Sequence, residues 1–154
     1  MKLIRTSAIL LVLLWGIWGC QSKEQPGDEA NEPEPEYITV QHILVGFRGS
    51  VPRKNITRTR EAAGELALKV LEMAKSGKDF GELVKEFTDD AYPGIYKMSN
   101  FGVPGDPSRN IFARDQMVGA FGDVGFPLQV GEIGLAEYDP QKSPYGWHII
   151  KRIE

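Results

Sequence analysis

The sequence predicts an α+β domain, a small and mostly antiparallel four-stranded sheet surrounded by three to four helices. Residues 37–45 (YITVQHILV) and 145–154 (YGWHIIKRIE) are rich in the β-branched and aromatic side chains that favour strands, and each run holds one of only two histidines. Between them lie segments with apolar residues at three- and four-residue spacing, the period of an amphipathic helix. Strands and helices do not alternate regularly, so an antiparallel sheet with helices packed on it is expected in place of a parallel, doubly wound one.

The elements follow in chain order. A mid-strand histidine needs a donor and an acceptor, so the first and last strands are expected side by side, with His42 and His148 sharing a hydrogen-bonded network on the floor of a site. After the first strand, residues 46–55 form a Gly/Pro-punctuated loop carrying Arg48, Arg53 and Lys54. Thr57 or Thr59 then caps a helix whose inward positions are Ala62, Leu66, Val70 and Met73, ending at Gly77. Asp79-Phe80-Gly81-Glu82 has the form of a capping box and opens a second helix with Leu83, Val84 and Phe87 inward, stopping near Thr88-Asp89-Asp90. A short strand follows from Tyr96 to Phe101, then a Gly/Pro loop through Ser108. Residues 114–121 read as one short helix, 133–137 as a strand, and 139–144 as the turn into the last strand.

Composition bounds the rest. With 154 residues, 42% hydrophobic and 25% charged, the chain is sized for one globular domain. Residues 37–154 carry fifteen basic and fifteen acidic side chains, which argues against nucleic acid as a partner, since phosphate binding needs a basic surplus. Residues 21–36 set one lysine against six carboxylates with no apolar periodicity, as expected of a disordered, extended tether. Before them, Lys2 and Arg5 precede an apolar run from Ala8 to Trp18; it is shorter than the ~20 residues of a spanning helix and fits the core of a secretory signal. Ile17-Trp18-Gly19-Cys20 resembles the lipobox of bacterial lipoproteins, with Trp18 where a small residue is usual. The organisation expected is a signal peptide over 1–19, a lipidated Cys20 with its acidic tether over 20–36, and a folded domain over 37–154. Gln21 after the cysteine implies, by the same resemblance, the outer membrane facing the periplasm in a two-membrane cell, and otherwise the outer face of the cytoplasmic membrane.

Four blocks carry a further resemblance: residues 38–45 (ITVQHILV), 80–90 (FGELVKEFTDD), 112–121 (FARDQMVGAF) and 145–151 (YGWHIIK). In this order and spacing they resemble the signature blocks of parvulin-type peptidyl-prolyl isomerases across residues 37–154. The resemblance implies a parvulin-like fold and a site built on His42, His148 and Asp90, the last standing where parvulins have Cys or Asp. It implies a proline pocket of Met117 and Phe121 with Met98 where many members have Leu, a substrate contact at Gln116, and a hydroxyl at Ser143. On residue pattern alone, Met117 and Phe121 fit core and pocket equally. Two departures stand out: Gly94-Ile95-Tyr96-Lys97-Met98 replaces a Gly-Asp-Leu-Gly segment, and residues 100–111 are longer than in compact members.

The implied activity is rotation of Xaa-Pro bonds in exported proteins, with proline-containing polypeptides as partners. The competing expectation is a peptide-binding module or holdase with the same cleft and little turnover. Neither a cofactor nor a metal is expected, because the lone cysteine lies in the leader and the histidines lack closely spaced companion ligands. Nothing in the sequence indicates oligomerisation, so a monomer is expected.

Overall fold

The computed structural model describes residues 33–154; the expected signal peptide and Cys20 lie outside the described residues. Strands β1 (Tyr37–Val45), β2 (Ile95–Ser99), β3 (Ile111–Ala113), β4 (Ile133–Ala136) and β5 (Trp147–Arg152) form one sheet in the order β3-β2-β1-β5-β4. Helices α1 (Arg60–Lys75), α2 (Phe80–Phe87) and α3 (Gly119–Gly125) pack on it. The sheet has five strands where four were expected. The addition is β3, which pairs parallel to β2 through Lys97↔Ile111, Met98↔Phe112 and Ser99↔Ala113. Three residues at the end of a Gly/Pro loop give too short an alternation to be legible, and only the preceding loop, which brings the chain back beside β2, makes them a strand. Among the described residues no helix is long and apolar enough to cross a membrane.

Strand β1 lies at the centre, antiparallel to both β2 and β5, and eight of its nine residues are buried or half-buried. A central strand covered on both faces reads as a continuous apolar run, not as an alternation, which accounts for ITVQHILV. Alternate side chains feed two cores. Ile43 and Val45, with Ile149 from β5, pack under α1 and α2. Ile38 and Val40, with Met98 and Ile150, pack under Phe121 and Phe126. His42 and His148 share the parity of this second set, and so point to the α3 face.

Thr59 caps α1, its hydroxyl accepting from the Ala62 amide, and Asp79 caps α2 by accepting from the Glu82 amide. The buried stripe of α1 is Ala63, Ala67, Val70 and Ala74, turned from the expected Ala62, Leu66, Val70 and Met73. Alanines let the helix axis approach the sheet closely, while Leu66 and Met73 flank the contact, partly buried. Residues 114–121, expected as one helix, are broken: a 3₁₀ turn at Arg114–Gln116, extended Met117 and Val118, then α3. Glu34 and Pro35, expected in the tether, are tied to the domain through Arg114 and Asn100, so the folded domain takes in residues before 37.

The loop between α2 and β2 completes β1 where β2 stops. The amide of His42 donates to the Gly94 carbonyl (2.9 Å), the Asp89 amide to the Leu44 carbonyl (2.8 Å), and the Leu44 amide to Thr88 Oγ1 (3.2 Å). A buried strand edge must find such partners. Gly94 is required here, because its φ is +69° and an added Cβ would stand 2.5 Å from the His42 carbonyl oxygen.

Candidate active site

The closure of β1 by residues 88–94 fixes Asp90 beside His42. Asp89 reinforces it by accepting from the Gly46 amide (2.8 Å) and pairing with Arg58, which also donates to the Gly46 carbonyl. The two histidines meet as expected: His42 Nδ1 and His148 Nδ1 are 3.2 Å apart and the rings stack with 15° between planes. His42 Nε2 lies 3.0 Å from Asp90 Oδ2, and the same oxygen accepts from Tyr96 Oη at 2.8 Å.

Hydrogen-bond accounting orders the protons. Ionised Asp90 can only accept, so His42 donates through Nε2–H. One proton then lies between His42 Nδ1 and His148 Nδ1, and His148 Nε2 is buried with no partner among the described residues. The hydrogen bond from His42 holds the Asp90 carboxyl well below the usual carboxylate range against the opposing effect of burial, with Tyr96 adding to it. Burial, and then the Asp90 contact, push the Tyr96 hydroxyl up to about 12, so it stays a donor. Burial pulls His148 down to about 3, so it stays neutral.

A pH effect on stability follows. Between about pH 6.5 and about 3 the unfolded chain protonates His148 and the folded chain does not, so the unfolded state binds more protons and stability falls as pH falls, by about 1.4 kcal/mol per pH unit. Asp90 acts in the same direction only below its ordinary value of 3.8. Urea unfolding at pH 7 and pH 4.5 should show a loss that His148→Gln largely removes; an equal loss in both proteins would contradict a buried neutral His148.

Above the rings sits Phe121, edge-on to His42 (4.9 Å between centroids) and His148 (5.5 Å). Together they wall a cavity of ≈ 360 Å³, lined also by Leu44, Asp90, Tyr96, Gln116, Met117 and Val118, with Val51, Pro52 and Tyr145 at the loops. A cavity with an apolar lining and a few convergent polar groups is the usual form of a binding site. Met117, extended ahead of α3, and Phe121 on α3 line this one hollow.

Of the residues singled out from sequence, His42, Asp90, His148, Gln116, Met117 and Phe121 come together here. Met98 does not. It is fully buried in the core with Phe121 and Phe126, and the β2 side chain that lines the hollow is Tyr96, two residues earlier on the same face. Ser143 is also fully buried and does not line the cavity; its hydroxyl donates to the Gly146 carbonyl at 2.7 Å and shapes the turn before β5. Arg48, Arg53 and Lys54 are exposed on the neighbouring loop, Arg48 donating to the Thr57 carbonyl. Sequence reasoning missed Tyr96, although the altered segment containing it was the available signal, and it missed the Arg58–Asp89 brace, for which spacing gives no signal.

The sequence matches, over residues 42–154, the family described as rotamase, the PPIC-type PPIase domain. It is 29% identical over 128 residues to the chaperone SurA of Pseudomonas syringae pv. tomato, covering 83% of this chain and 25% of that one. It is 32% identical over 110 residues to the foldase protein PrsA of Bacillus subtilis, covering 71% of this chain and 32% of that one. The chain therefore spans about a quarter to a third of the length of these curated relatives. Among solved structures, the peptidyl-prolyl isomerase ESS1 from Candida albicans superposes with a TM-score of 0.56 at 23% identity, covering 77% of this chain and 63% of that one, and so shares the fold.

Proposed function

The chain belongs to the rotamase family as a PPIC-type peptidyl-prolyl isomerase domain, and from this premise we propose that it rotates Xaa-Pro bonds of exported polypeptides during their folding, anchored in the bacterial cell envelope by a lipid on Cys20. The observation that carries the catalytic reading is the cavity in which Phe121 and Met117 face a His148–His42–Asp90 chain. Relatives named foldase and chaperone support a role in folding. The apolar leader ending in Ile17-Trp18-Gly19-Cys20 supports the anchor.

The reaction loses amide resonance, a barrier of about 18–20 kcal/mol, and breaks no bond. Each ~1.4 kcal/mol taken from it accelerates exchange tenfold, so a site need only prefer the twisted amide by several kcal/mol. Met117 and Phe121 would grip the pyrrolidine in a dry hollow. Resonance in the planar amide puts negative charge on the carbonyl oxygen, and twisting withdraws it. A fixed carboxylate beside that oxygen disfavours the planar form, the part assigned to Asp90. His42 and His148 hold Asp90 and each other's tautomers and need not transfer a proton.

Exchange spectroscopy on short Xaa-Pro peptides tests the reading. The full chain should accelerate cis/trans exchange, and peptide binding without acceleration would indicate a binding module or holdase instead. Labelled palmitate should enter the wild-type chain in cells and not Cys20→Ser; equal labelling of both would refute the anchor.

A further inference from the structure

We infer that the polypeptide substrate has a second seat on this domain, an apolar subsite beside the proline hollow built on Phe112 by the loop from Asn100 to Asn110, which takes a large apolar side chain about two to four residues from the proline. This rests on the isomerase reading of the hollow.

Phe112 is 42% exposed on the edge strand β3. A lone exposed apolar side chain is ordinary, but this one is continuous with the site. Its Cα partner in the parallel ladder is Met98, so it stands on the α3 face, as Tyr96 and His42 do. Ring to ring, Phe112 lies 5.9 Å from Tyr96, and Tyr96 lies 5.2 Å from His42. An aromatic row therefore crosses the sheet from the histidine pair to its edge. Phe121 covers the inner end, with Tyr96 5.9 Å away, and the outer end is open.

At that end is a second cavity, ≈ 310 Å³, lined by Gly105, Pro107, Asn110, Ile111, Phe112 and Gln116. Gln116 also lines the proline hollow, so one side chain divides the two. The loop that makes the outer wall is held in shape. Asp106 and Ile111 exchange backbone hydrogen bonds at 2.8 and 2.9 Å, and Asp106 caps the turn at Pro107–Arg109 by accepting from the Ser108 amide and hydroxyl. The occupant is the substrate chain itself, because an extended polypeptide advances about 3.3–3.6 Å per residue and two ring-to-ring steps correspond to roughly three residues.

The test uses the full chain, wild-type and Phe112→Ala, with Xaa-Pro peptides that carry either leucine or alanine at each of the second, third and fourth positions before or after the proline. For wild-type, leucine at one of these positions should raise kcat/KM roughly tenfold over alanine, the return on burying one apolar side chain. Phe112→Ala should shrink that preference, taken as the leucine-to-alanine ratio within the variant itself, below about twofold, and Phe112→Leu should restore much of it. No preferred position in wild-type, or a preference that survives in Phe112→Ala, overturns the subsite. If no peptide is accelerated, the isomerase reading fails separately, and the same comparison made on Kd decides the subsite: a leucine preference lost in Phe112→Ala supports it, and its absence refutes it.

Discussion

Replacing Arg114 by alanine should lower the unfolding free energy by about 3 kcal/mol. Its side chain is only 8% exposed. The guanidinium sits between the rings of Phe101 and Phe126, 4.4 and 4.6 Å from their centroids, and pairs with Glu34 at 2.6 Å and Asp123 at 3.2 Å. It also donates to Asn100 Oδ1 at 2.9 Å. One planar cation thus joins the segment before β1, the loop after β2 and α3. The expected loss comes chiefly from the vacated space between two rings and from the stranded groups around it. Arg114→Lys should recover little, because a flexible ammonium neither stacks nor forks to two carboxylates. Glu34→Gln should cost less than about 1 kcal/mol, since that carboxylate is partly solvated. Urea midpoints rank the three, and a Glu34→Gln loss as large as that of Arg114→Ala would show the ion pair, not the stacking, to be dominant.

The second large effect is on turnover. Phe121→Leu should reduce kcat/KM for Xaa-Pro exchange by more than about tenfold, because leucine leaves the hollow wider where the ring meets both imidazoles. Phe121 is only 2% exposed and belongs to the core as well as to the cavity, so alanine there would cost about 3–5 kcal/mol of stability and confuse folding with function. Met117→Ala is the complementary probe. Met117 is half-buried, so its truncation should spare the fold and lower turnover by a comparable factor. Unchanged rates in both variants would show that the proline does not bind here.

How far the sequence foretold this arrangement depends on the range of the signal. β-branched and aromatic composition and the two histidines were enough to put β1 beside β5, and a cap at Thr57 or Thr59 and another at Asp79 marked where α1 and α2 begin; the structure uses Thr59 for the first. Those signals are local, or depend on a group that must find a buried partner. Strand β3 and the break at Met117 were not legible, because both exist through tertiary contacts: β3 through its ladder to Lys97, Met98 and Ser99, the break at the wall of a hollow that Met117 lines. The same limit explains Met98 and Tyr96. They share a face of β2, but Met98 is covered by Phe121 and Phe126 while Tyr96 stands beside His42 in the cavity, a difference beyond any two-residue alternation. Ser143 was visible as a hydroxyl in the last turn, but nothing local shows that Gly146 takes its hydrogen bond.

The location of the proline hollow can be tested directly by labelling the methionine methyl groups and measuring nuclear Overhauser contacts from the ring protons of a bound Xaa-Pro peptide. Met117 should give strong contacts, with none from Met98, sealed in the core, or from Met73 on the opposite side of the sheet. Contacts to Met73 with none to Met117 would contradict the account.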